Sequence, residues 1–128
     1  MGMNIYEIFF YYFLSTFLVI SLVIFVHEMG HFLAARFCNI RVKVFSVGFG
    51  REIFGYTDKK GTRWKLAIFP LGGYVSTDES DKTPLGKRAF VTIAGPAMNI
   101  VFSIVLIMTV LSIWGMPRAP LEIVGVVK

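Results

Sequence analysis

Two long stretches without a charged side chain constrain this sequence more than anything else in it. Ile8 to Val26 is 19 residues and Ala89 to Trp114 is 26, with no Asp, Glu, Lys or Arg in either. About 20 apolar residues in a helix cross the roughly 30 Å of hydrocarbon in a bilayer, so each run is long enough to span. A helix apolar on all sides needs lipid or the core of a large protein around it, and 128 residues that are 55% hydrophobic cannot bury two. A cleaved signal opens basic and holds about 7–15 apolar residues. Here the first run is longer and only Glu7 precedes it, so the segment is expected to stay in the membrane. The expected fold class is membrane α-helical, with two transmembrane helices joined by a loop.

Charge placement orients the helices. Between Arg36 and Arg88 eleven Lys/Arg stand against five Asp/Glu, a net +6. No Lys or Arg precedes the first run, and only Arg118 and Lys128 follow the second. Short loops rich in Lys and Arg stay in the cytoplasm, so the loop is expected inside and both termini outside. This asymmetry accounts for the chain's net charge of +5, and no nucleic-acid partner is indicated. Cys38 is the one cysteine and falls on the cytoplasmic side, where no disulfide is expected.

The chain divides into a first transmembrane helix over 1–37, a β-hairpin region over 38–75, a polar linker over 76–88, a second transmembrane helix over 89–115 and the opening of a β domain over 116–128. Phe32 to Phe37 continue the first helix beyond its charge-free stretch, and Asn39 is a stop signal. Val42 to Gly50, β-branched and aromatic with glycines, reads as a bent strand. Thr57 to Gly61 reads as a turn, and Arg63 to Phe69 as a second strand stopped by Pro70. Ile123 to Val127 reads as a further strand.

The chemistry-bearing motif is His27-Glu28-Met29-Gly30-His31. Residues at i and i+4 lie on one helix face about 6 Å apart along the axis, so two imidazoles can converge on one ion. The intervening Glu can act on a water at that ion as general base. These are the chain's two histidines, and ionisable residues in an apolar membrane helix cost about 2.5–3.5 kcal/mol each on insertion scales, which marks them as functional. A helix end reaching for headgroups is the plainer alternative, but Phe32 to Ala35 keep the segment apolar past the motif. A catalytic zinc takes three protein ligands. Cys38, eleven residues beyond His27, lies about 16 Å further along a helix. Glu52, Asp58, Asp78, Glu79 and Asp81 are in the polar loop, and the second run holds no ionisable residue. The site is therefore expected to be incomplete within this chain.

On these features the sequence resembles the site-2 protease family of intramembrane zinc metalloproteases, most of all its bacterial sigma-E-regulating branch. The likeness is carried by His27 to His31, Phe45-Ser46-Val47-Gly48-Phe49-Gly50, Pro70-Leu71-Gly72-Gly73-Tyr74-Val75 and Ala94-Gly95-Pro96-Ala97-Met98-Asn99, in family order across nearly the whole chain. It implies zinc on His27 and His31, with Glu28 catalytic. It also implies a membrane-associated hairpin whose Gly72 and Gly73 help guide an unwound substrate helix, and Asn99 holding the substrate backbone. The implied partners are a single-pass transmembrane substrate, the lipid bilayer and the remainder of a parent protease, whose late-helix Asp is the family's third ligand. The implied location is the bacterial inner membrane, multi-pass with periplasmic termini. That Asp and the body of a PDZ domain are absent, so a fragment is expected, inactive alone.

Plainer readings stand beside these: turn glycines at 48, 50, 72 and 73, a kink at Gly95-Pro96, and helix–helix hydrogen bonding by Asn99. Two further functions compete with the protease. One is a non-catalytic module, or inactive truncated paralogue, that holds membrane helices. The other is a zinc peptidase of another membrane family with a cytoplasmic site.

Overall fold

A computed structural model of the chain describes Gly2, residues 4–78 and residues 83–115. The elements run α1 (Ile5–Phe37), β1 (Val42–Thr57), β2 (Arg63–Thr77) and α2 (Leu85–Trp114). The strand expected over Ile123 to Val127 lies outside the described residues, as do Glu79 and Asp81.

Local chemistry sets both ends of α1. The Asn4 side chain accepts from the Tyr6 N–H while Glu7 accepts from the Asn4 N–H, a capping box. At the other end Asn39 takes a left-handed φ of 59°. The Ile40 N–H then reaches the Ala35 carbonyl and the Asn39 N–H reaches that of Arg36, the bonding of a Schellman stop. The helix of 33 residues is about 50 Å long. Both helices are long and apolar enough to cross a membrane, and no protein covers their most apolar stretches.

Between them lies an antiparallel two-stranded hairpin. Each strand bends, so β1 is paired on both sides: Val44 to Val47 lie beside Ser76 to Gly73 on one side and beside Arg63 to Leu66 on the other. Within this doubly paired stretch Phe45 and Ser46 are about 1% exposed, as is Val42 just before it. Pro70 does not stop β2. It sits between the Phe69 and Gly73 pairings, at the bend, where the missing N–H breaks no rung of the ladder. The second helix also begins earlier than expected, at Leu85 after Pro84. Lys87 and Arg88 lie in its first turn, so a boundary drawn at the last charge came four residues late.

The hairpin is fastened along α1 at three levels. At the C-terminal end of α1 Arg36 pairs with Asp58 at 2.7 Å, bonds Thr62 at 2.9 Å and lies over the Phe32 ring. The Thr62 N–H foremost, with the Trp64 indole, the Lys60 N–H and Arg36, outweighs desolvation and lowers the Asp58 carboxyl to about 2. In the middle, Phe45 stacks edge-on against Phe32 and Phe25 with centroids 5.4 and 5.9 Å away, and Trp64 closes the cluster. At the far end the Ser21 hydroxyl donates to the Pro70 carbonyl at 3.0 Å. Ser21 is fifteen residues before Arg36, about 22 Å along the axis, so the bend in the hairpin lies beyond the level of His27.

Candidate metal centre

His27 and His31 stand one turn apart late in α1, their ring centroids 4.7 Å apart and their planes at 81°. Opposite them α2 presents Val91, Gly95 and Asn99, again one turn apart. The two rows run antiparallel: Val91 meets His31, Asn99 meets His27, and Gly95 lies between. Glycine at position 30 lets the helices come this close, since a Cβ there would stand 2.4 Å from the Ala94 carbonyl oxygen.

His31 Nδ1 lies 2.7 Å from the Val91 carbonyl oxygen. A carbonyl can only accept, so Nδ1 carries a proton, and in the neutral ring this tautomer leaves on Nε2 the lone pair that a metal requires. His27 Nδ1 lies 3.2 Å from the Asn99 side-chain amide. Both Nε2 atoms turn toward one gap. A Cβ built on Gly95 would stand 2.4 Å from Nε2 of His31 and 2.8 Å from Nε2 of His27, closer than a real Cβ can be tolerated. Only glycine leaves this space open, and one imidazole nitrogen of each histidine borders it. That donor set fits half of a zinc site, which takes imidazole nitrogen readily. Among the described residues no group of three His, Cys, Asp or Glu forms.

Glu28 is turned about 100° from His27 around α1 and meets β2 rather than α2. Its Cγ lies 3.2 Å from where a Cβ on Gly73 would stand, and that same Cβ would be 2.7 Å from the Ser46 carbonyl oxygen. Gly73 is thus squeezed between β1 and Glu28. Gly72 faces elsewhere: a Cβ on it would stand 2.1 Å from the Phe49 ring.

Of the residues expected in the site, the fold brings His27, His31 and Asn99 together, sets Glu28 and Gly73 in adjoining contact, and puts Gly72 against Phe49. Sequence reasoning missed Val91 and the role of Gly95 as a wall of the gap. Val91 acts through its backbone, which leaves no signal in residue type. Gly95 did leave one: positions 91, 95 and 99 repeat the one-turn spacing of 27 and 31.

The chain belongs to Peptidase family M50, whose profile matches residues 15–126. It is 41% identical over 132 residues to a Brucella suis protein, covering 84% of this chain and 35% of that one. With an Agrobacterium fabrum protein it shares 41% over 128 residues, covering 81% and 34%. With one from Pasteurella multocida it shares 40% over 119 residues, covering 82% and 27%. Each of these relatives carries the name "Putative zinc metalloprotease". The chain spans about a third of the length of the curated relatives it matches.

Proposed function

We propose that this chain supplies two spanning helices, a hairpin and half of the metal centre of a zinc-dependent endopeptidase that cuts within the bilayer. The observation that carries this reading is that the His27 and His31 Nε2 atoms lie together beside Gly95, where any larger residue would crowd both. The names of its relatives support zinc as the metal. A bound zinc supplies Lewis acidity toward a carbonyl and a water of lowered pKa.

The chain's own residues do the rest. His27 and His31 hold the metal, and a third ligand comes from outside the described residues, in the remainder of the parent protease. The Glu28 carboxylate takes a proton from the attacking water and delivers it to the leaving amide nitrogen. The bent segment of β2 around Gly72 and Gly73 offers backbone to an extended substrate beside Glu28, as in strand addition. The substrate is a single-pass membrane protein whose helix unwinds at the cut. The loop's net +6 supports a cytoplasmic hairpin region dipping into a bacterial inner membrane, with both termini periplasmic.

Zinc retention and cleavage of a helical model substrate test this in the full reading frame containing the chain. His27→Ala and His31→Ala are expected to lose both. Cleavage that survives either change contradicts the assignment. A second reading, a module that holds membrane helices without cutting them, draws on the absence of a third ligand among the described residues. It predicts that neither histidine change alters substrate binding and that cleavage is never seen.

A further inference from the structure

Asn99 is half-buried where the helices meet. Its amide nitrogen lies 3.2 Å from Nδ1 of His27, and its amide oxygen is buried without a hydrogen-bond partner. In that setting Nδ1 accepts, the ring proton sits on Nε2, and the nitrogen facing the Gly95 gap has no lone pair to give. His31, one turn away, has the opposite arrangement, with Nδ1 against the Val91 carbonyl oxygen. The two ends of a primary amide have nearly the same shape, and hydrogen-bonding partners decide which end faces which. Turned end for end, Asn99 gives His27 what Val91 gives His31: an oxygen on Nδ1. One amide end is unpartnered either way, so the turn costs no hydrogen bond, and it leaves both Nε2 lone pairs facing the gap.

We infer that Asn99 is a positioning residue for the metal centre: its side-chain oxygen accepts from Nδ1–H of His27 and aims that ring's Nε2 at the gap beside Gly95. This rests on the metal-binding reading of His27 and His31. It departs from a role in gripping substrate, because the end of Asn99 pointing away from His27 is buried in protein. Ligating histidines commonly rely on such a partner, and its loss typically weakens metal binding about 10–100-fold.

Two measurements on the metal-free and zinc-titrated chain in lipid nanodiscs test the inference. The chain has two histidines, so His31→Ala assigns the ¹⁵N ring signals. At about pH 8.5, well above the ordinary histidine value, the neutral His27 ring of the wild-type chain should carry its proton on Nδ1. A proton on Nε2 overturns the inference, and this readout requires no change at position 99.

Zinc affinity by chelator competition gives the second readout. Asn99→Ala and Asn99→Leu should bind zinc about 10–100-fold more weakly, whereas Asn99→Asp, whose carboxylate can only accept, should stay within about threefold of wild type or bind more tightly. Asn99→Ala at wild-type affinity, or Asn99→Asp as weak as Asn99→Ala, overturns it. His27→Ala is the reference: undiminished zinc binding there removes the metal reading itself. Loss in His27→Ala with none in Asn99→Ala removes only the role of Asn99.

Discussion

Gly95 faces His31 across a gap that a hydrogen atom can occupy and a methyl group cannot, since a Cβ at 95 would stand 2.4 Å from His31 Nε2. The same Cβ would crowd His27 at 2.8 Å, so one methyl group tests the convergence of both rings. Gly95→Ala suits helix propensity and should leave α2 intact. Overpacking costs about 1–3 kcal/mol, roughly a five- to 150-fold loss of zinc affinity when it falls on the liganded arrangement. Chelator competition checks this, with circular dichroism as the control for helix content. Unchanged affinity would mean that the metal lies away from Gly95.

Gly73 ties the hairpin to Glu28. A Cβ there would stand 2.7 Å from the Ser46 backbone oxygen and 3.2 Å from Glu28 Cγ, and backbone cannot move aside as a side chain can. In the full reading frame, Gly73→Val should keep zinc and lower cleavage at least about tenfold, because it shifts the general base without touching a ligand. Zinc content and cleavage rate from one preparation separate this from loss of fold. Full cleavage in Gly73→Val would break the link between β2 and Glu28.

The Asp58 carboxylate fastens the turn of the hairpin to Arg36. Folding lowers its pKa, so the stability it contributes is complete above its ordinary 3.8 and is lost as pH falls through about 2. Docking of the turn should therefore be flat from neutral pH down to about 4 and fail only below that. Trp64, whose indole reaches Asp58 at 3.3 Å, reports the change by fluorescence once Trp114 is replaced by Phe. In Asp58→Asn the acid transition should disappear and the neutral-pH signal should already resemble the undocked state.

Much of this was legible in the sequence, for physical reasons that can be named. The two apolar runs and the His27–His31 spacing show themselves because helix period and hydropathy act over many residues at once. The stop of α1 at Asn39 shows itself because it rests on local hydrogen bonding, whereas the cap at Asn4 was not read. The course of β2 through Pro70 was not legible, since a proline is harmless only where the ladder is already interrupted, and that depends on β1 bending at the same level. The start of α2 at Leu85 was missed because charged residues do not end a helix. The contact of Val91 with His31 belongs to the packing of two helices 60 residues apart in sequence.

Orientation follows from the charge of the loop. With Cys38 replaced, a single cysteine at Lys59 should resist an impermeant thiol reagent in intact cells and react in inverted vesicles. Labelling in intact cells would reverse the topology.

In the proposed metal-dependent cleavage centre of His27, Glu28 and His31, Glu28 moves the proton. Glu28→Gln keeps the size of the side chain, removes its basicity and touches neither ligand. The measurement is zinc content and cleavage of a helical membrane substrate on the same preparation of the full reading frame that contains this chain. Zinc should remain at the wild-type level while cleavage falls by about 10²–10⁴, the usual span of a general base. A Glu28→Gln protein that holds its zinc and still cleaves at nearly the wild-type rate would contradict the account.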